Sequence, residues 1–88
     1  MQRQELWSGN LRSVGYDPTA WVLEIEFARG SIYQYYGVPP TVYNRFLEAR
    51  SYGVYFARHI RNVYRYRRVP AMSSLFEPDE EPEVEYET

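Results

Sequence analysis

Between Trp21 and Ala28 the side chains sort into two sides, with Trp21, Leu23, Ile25 and Phe27 on one and Val22, Glu24 and Glu26 on the other. A period of two with one apolar side predicts an antiparallel strand buried on one face, its two glutamates turned to solvent. Leu11 to Tyr16 predicts a shorter strand before it, closed by Asp17-Pro18-Thr19. Proline presets φ for the second position of such a turn, and the aspartate accepts a bond from the backbone beyond. After Phe27 the chain turns at Arg29-Gly30. A two-residue turn requires a positive φ at Arg29, which a side chain disfavours, and it places Tyr33 and Tyr35 on the solvent face. A three-residue loop, Ala28-Arg29-Gly30, needs only Gly30 in the left-handed region. It pairs Phe27 with Ser31, Ile25 with Tyr33 and Leu23 with Tyr35, bringing both tyrosines to the core face, and is the preferred reading.

Gly37 ends the third strand, and Val38-Pro39-Pro40 opens a helix, since proline suits a first turn whose N–H groups have no partner. Val42, Tyr43, Phe46 and Leu47 supply its apolar stripe, and the helix is expected to reach about Arg50. Ser51 is placed to cap a second helix, with Tyr55, Phe56, His59 and Ile60 on its inner side. Asn62 tolerates the left-handed conformation that ends a helix. Val63 to Val69 then reads as a fourth strand, with Tyr64 and Tyr66 on one face and Arg65 and Arg67 on the other. The competing reading continues the helix and aligns Arg58, Arg61, Arg65 and Arg68 in one basic stripe. The expected fold is α+β: a small antiparallel four-stranded sheet with two helices on one face, in the order β-β-β-α-α-β. Trp21, Leu23, Ile25, Phe27, Tyr33, Tyr35, Val42, Phe46, Tyr55, Phe56 and Ile60 are expected to form most of the core.

Composition sharpens this picture. The 88 residues leave room for one domain, and ten tyrosines, two tryptophans and four phenylalanines make its core aromatic. With no cysteine, neither disulfides nor a thiolate metal site can contribute. Met1 to Asn10 lacks the apolar stretch of a signal peptide, and no run approaches the length of a membrane span, so the expected location is the cytoplasm. All ten basic residues are arginine, which GC-rich codon usage alone can produce. The net charge of −2 conceals an asymmetry. Residues 1–72 carry every arginine against five acids, whereas residues 73–88 carry seven acids and no base. We therefore expect a folded domain over 1–72 and an acidic, disordered tail over 73–88. That tail either screens the arginines, or merely solubilises the chain, or offers Leu75-Phe76 to a partner.

Several segments together resemble the KTSC domain family. They are Val14-Gly15-Tyr16-Asp17, Leu23-Glu24-Ile25-Glu26-Phe27, Gly30, Tyr33-Gln34-Tyr35, Val38-Pro39, Tyr43, Ala49, Ser51 to Phe56, Ile60-Arg61 and Tyr64. The resemblance runs from about Leu11 to Val69. The family takes its name from a segment at the C-terminus of some lysyl-tRNA synthetases and also occurs as free-standing small bacterial and phage proteins. It carries no assigned activity or catalytic residues, and the synthetase context suggests RNA. Tyr33 and Tyr35 are similar to its central Tyr-x-Tyr motif, whose role is unknown.

Read for chemistry, the residues favour binding over catalysis. His59 is the only histidine and falls among core positions. There is no metal-ligand cluster or phosphate-cradling glycine loop, and Ser51-x-Gly53 is a helix cap, not a nucleophile elbow. No cofactor is expected. The leading expectation is a non-catalytic domain that binds RNA or single-stranded nucleic acid through Arg58, Arg61, Tyr64, Arg65, Tyr66, Arg67 and Arg68. Arginine neutralises phosphates there and tyrosine stacks on unpaired bases. The alternative is a protein-interaction module using Ile32 and Tyr36 on the outer sheet face or an open edge strand. Arginines scattered around the fold, instead of clustered, would favour that alternative.

Overall fold

The computed structural model describes residues 3–70. Its elements are β1 (Arg3–Ser8), β2 (Leu11–Asp17), β3 (Val22–Phe27), β4 (Ile32–Tyr36), α1 (Pro40–Glu48), α2 (Tyr52–His59) and β5 (Arg65–Val69). The strands form one antiparallel sheet in the order β1-β2-β3-β4-β5, so every strand lies beside its neighbours in sequence. The α+β class with two helices holds, but the sheet has five strands and not four. The additional strand is β1. Its sequence hides it, because a bulge interrupts the period of two: Glu5 pairs with Ser13 and Ser8 with Leu11, which sets Leu6 and Trp7 opposite Arg12 alone. Trp7 has a φ of 48° at this bulge.

The β3–β4 hairpin follows the three-residue reading. Ile25 pairs with Tyr33 and Leu23 with Tyr35, Gly30 sits at a φ of 98°, and the Phe27 amide donates to the Ser31 carbonyl at 2.9 Å. At the β2–β3 turn, Asp17 Oδ1 accepts from the Thr19 and Ala20 amides at 2.9 and 3.2 Å. The turn runs one residue further than expected. Trp21 is its last member, at a φ of 59°, and its side chain is exposed instead of joining the core. Its carbonyl instead accepts from the Val38 amide at 2.9 Å, fastening the entry to α1.

One face of the sheet packs against both helices. Leu11, Val14, Tyr16, Leu23, Ile25 and Tyr35 meet Val38, Phe46, Phe56 and Ile60 in a single buried cluster, with Phe27, Tyr33, Val42, Tyr55 and Tyr64 packed around it. Ser51 caps α2, its Oγ accepting from the Val54 amide at 3.3 Å. Asn62 adopts the left-handed conformation, at a φ of 69°, within the turn that separates α2 from β5. The segment after it is therefore a strand and not a continued helix. His59 is exposed and lies over the ring of Tyr55, with centroids 4.4 Å apart, so it is not an inner residue.

The outer face departs most from expectation. Glu24 is fully buried, and Gln34 Nε2 donates to its Oε1 at 2.8 Å. It occupies the middle strand, in register with Gly15 and Gln34. Glu26 is half-buried, accepting from Ser13 Oγ at 2.7 Å and pairing with Arg12 at 3.7 Å. Ile32 is also buried and Tyr36 half-buried, so the exposed apolar patch expected there does not form. The acidic segment 73–88 lies outside the described residues.

Candidate functional site

The helices leave the β4–β5 end of their own sheet face partly uncovered, and a groove of about 330 Å³ opens there. Its walls are rings: Phe27 from β3, Tyr33 and Tyr35 from β4, Phe56 from α2 and Tyr66 from β5. Alternation along the strands puts Phe27, Tyr33 and Tyr35 on one face, and cross-strand pairing of Tyr35 with Tyr66 brings the β5 ring beside them. The Tyr66 centroid lies 5.7 Å from that of Tyr33 and 5.6 Å from that of Tyr35. Phe56 meets Phe27 and Tyr35 edge-on at 5.7 and 5.4 Å. Tyr66 remains 56% exposed, so its ring is available to a planar ligand.

Polar groups line the same groove. Asn10 comes from the β1–β2 turn, Arg29 and Ser31 from the β3–β4 loop, and Arg61 and Asn62 from the turn after α2. The Asn10 carbonyl accepts from the Ala28 amide at 2.8 Å, which holds the two hairpin loops together. Arg61 lies over Phe56 with its Cζ 5.9 Å from the ring centroid. Among the described residues neither Arg29 nor Arg61 is paired with a carboxylate. Burial pushes the Tyr35 hydroxyl up to about 12, with smaller upward contributions from Tyr33 and Tyr66 and a downward one from Arg61. Tyr35 is accordingly a neutral phenol at physiological pH.

The residues expected to bind nucleic acid do not share one surface. Arg61 and Tyr66 line the groove. Arg68 stands across from Tyr33 and lines a second hollow with Gly30, Ser31, Ile32, Val69 and Pro70. Arg65 and Arg67 pair with Tyr36 and Gln34 and so belong to the opposite face. Arg58 is exposed on the last turn of α2 and does not line the groove, and Tyr64 is half-buried against the core. Sequence reasoning therefore joined residues that strand alternation separates. It also missed Arg29, which enters the site only through the loop that precedes β4. Tyr33 and Tyr35, singled out with no role, prove to be two of the groove's walls.

Among the described residues no set of three or more histidines, aspartates and glutamates is grouped to hold a metal. No helix among them is long and apolar enough to cross a membrane.

A five-stranded antiparallel meander with a helix pair on one face and an aromatic groove beside that pair defines a small α+β domain. Its sequence matches the KTSC domain family model over residues 7–64, and the chain belongs to that family. The match ends one residue before β5, so Tyr66 falls outside it. The chain is similar to an uncharacterized protein of Stutzerimonas stutzeri, 46% identical over 70 residues that span 78% of this chain and 99% of that one. It is also similar to a lysine–tRNA ligase of Nostoc, 37% identical over 59 residues, which cover 67% of this chain but 10% of the ligase. The crystal structure of a KTSC domain protein from Yersinia pestis superposes with a TM-score of 0.74 at 38% identity, covering 78% of this chain and 97% of the other.

Proposed function

We propose that the domain is a non-catalytic binding module that captures unpaired bases of RNA or single-stranded nucleic acid in the aromatic groove. The observation that carries this reading is the groove itself: five aromatic walls with two arginines free of carboxylates among the described residues. Bases stack on such rings whatever their sequence, and arginine adds phosphate contacts and cation–π attraction. The presence of a similar segment within a lysine–tRNA ligase supports RNA as the ligand class.

Division of the arginines between two faces narrows the idea. One strand cannot lie in the groove and also touch Arg65 and Arg67, so the contact is short, with Arg29 and Arg61 meeting about two phosphates. At roughly −0.7 per phosphate for single strands, the expected slope of log K against log salt is about −1.4.

Fluorescence anisotropy of the full chain with labelled single- and double-stranded RNA and DNA, at low and physiological salt, tests the reading. Tyr66→Ala should weaken single-strand binding roughly fivefold to a hundredfold, the range for losing one base–ring stack. Arg61→Ala should flatten the salt slope by about 0.7. Arg65→Ala with Arg67→Ala should change neither. Equal losses from the Arg65/Arg67 pair would place the ligand on the other face. Absence of binding to every oligonucleotide would retire the reading in favour of a protein-interaction module, which the scattering of Arg58, Arg65, Arg67 and Arg68 also favours.

A further inference from the structure

Two tyrosines of the described domain are more than nine-tenths buried, Tyr16 and Tyr35, and their hydroxyls differ in one respect. That of Tyr16 donates to the Val38 carbonyl at 2.6 Å. That of Tyr35, whose residue is 3% exposed, makes no hydrogen bond among the described residues. A buried hydroxyl without a partner opposes folding, and phenylalanine would fill the same space without that penalty. An unsatisfied group of this kind in a folded domain calls for a reason outside the fold itself. Its position supplies one. Tyr35 itself lines the groove, its ring centroid 5.6 Å from that of Tyr66, and Tyr33 and Arg61 are further walls of the same groove.

We propose that the Tyr35 hydroxyl is a binding residue directed at the ligand, donating together with Arg61 to an oxygen of a single nucleotide seated in the groove. The inference rests on the nucleic-acid reading above and adds the size of the occupant and the polarity of the atom it presents. At about 330 Å³ the groove is at the low end of small-molecule sites, which admits one nucleotide and not a stacked run. The guanidinium of Arg61 has donors only, and the neutral phenol of Tyr35, on the same groove, has an O–H to donate. Their shared partner is thus an acceptor oxygen. Nucleotides carry three kinds: the carbonyl on the edge of a keto base such as uracil, the oxygens of the sugar, and the phosphate.

Tyr35→Phe removes one oxygen atom and retains the ring packing against Phe56 and Tyr66. Anisotropy titrations would compare this variant and Tyr66→Ala with the unmodified full chain, using oligo-U, oligo-A and an abasic oligonucleotide, alongside urea unfolding of each protein. The expected result is a roughly fivefold to tenfold loss of oligo-U affinity, the worth of one hydrogen bond, with an unfolding midpoint at or above that of the parent. A loss confined to oligo-U assigns the oxygen to a base carbonyl, because adenine has none. Equal losses on oligo-U, oligo-A and the abasic strand assign it to the sugar–phosphate backbone. Unchanged affinity in Tyr35→Phe while Tyr66→Ala loses binding overturns the role of Tyr35 and leaves the groove standing. A lowered midpoint with unchanged affinity assigns the hydroxyl to the fold and equally overturns it. No binding by the parent chain removes both readings together.

Discussion

Tyr16→Phe is the substitution whose effect on folding the structure fixes most closely. Tyr16 is 7% exposed, stacks on Tyr43 with centroids 4.4 Å apart and planes 11° from parallel, and donates to the carbonyl of the fully buried Val38. That bond ties β2 to the segment leading into α1, whose other anchor is the Val38 amide on the Trp21 carbonyl. Phenylalanine keeps the stack and loses the bond, stranding a buried carbonyl acceptor. A hydrogen bond contributes about 1 kcal/mol net, and an acceptor left unpaired in the interior costs about 1–3 kcal/mol. The expected destabilisation is therefore roughly 1–3 kcal/mol, out of the roughly 3–10 kcal/mol that holds a domain of this size. At about 4–8 °C per kcal/mol, the melting temperature should fall by roughly 4–24 °C. Urea unfolding of the full chain, followed by far-ultraviolet circular dichroism, provides the free energy. The midpoint should fall while the dependence on urea keeps its slope, because no additional surface is exposed. Tyr35→Phe is the matched control: the same atom is deleted at similar burial, yet no protein hydrogen bond is lost. The reasoning fails if Tyr16→Phe unfolds within about 0.3 kcal/mol of the parent, or if the two variants are destabilised alike.

Alkaline pH should loosen the fold in a defined window. Burial raises the hydroxyls of Tyr16, Tyr35, Tyr43 and Tyr55 above the ordinary value of 10.0, that of Tyr35 to about 12. The folded chain then holds protons that the unfolded chain has released, so their contribution is fully present below pH 10 and is lost as pH climbs towards 12. Unfolding free energies measured at stepped alkaline pH should fall through that range, and Tyr35→Phe should show a shallower fall; a flat profile would contradict the burial of these phenols. Ser51→Ala deletes the α2 cap and should cost about 1 kcal/mol, seen as a lower urea midpoint with nucleic-acid affinity unchanged. A loss of affinity without a loss of stability would show that Ser51 serves the ligand instead.

Where one local rule decided the outcome, the sequence was legible. Gly30 settled the β3–β4 register because only one loop length avoided a positive φ at Arg29. Asn62 marked the break between α2 and β5, two residues beyond the C-cap Ile60, and Ser51 marked where α2 begins, through side-chain chemistry that needs no tertiary context. The errors arose where an element's neighbours override its own pattern. Trp21 continues the alternation of β3 perfectly, but the Asp17 turn extends to include it and rotates it out of the sheet. Glu24 alternates like a solvent-facing residue, yet it is fully buried and bonded to Gln34 on β4, a pairing that the alternation of β3 alone does not reveal. β1 escaped notice because its bulge breaks the very period by which strands are recognised. As for the site, proximity in sequence was mistaken for proximity in space between Arg58 and Arg68. A strand sends adjacent residues to opposite faces, so that run supplies the groove with Tyr66 and Arg61 and directs Arg65 and Arg67 elsewhere.

The sheet's sequential strand order has a kinetic counterpart. β1 to β4 pair through three successive hairpins, each closing over a short loop, whereas β5 can dock on β4 only after both helices have been threaded between them, as the pairing of Ile32 with Val69 requires. Closing the longer loop carries the larger entropy cost, which makes β5 the strand readiest to detach while the rest of the sheet stays formed. One wall of the groove, Tyr66, leaves with it. Ligand occupancy and the seating of the last strand are then two faces of one equilibrium. A ligand held at a hundred times its dissociation constant adds about 2.7 kcal/mol to the docked form relative to a form that cannot bind it. The amides of Arg65 to Val69, at the far edge of the protein, should accordingly be where slowed hydrogen exchange first registers that the groove is filled.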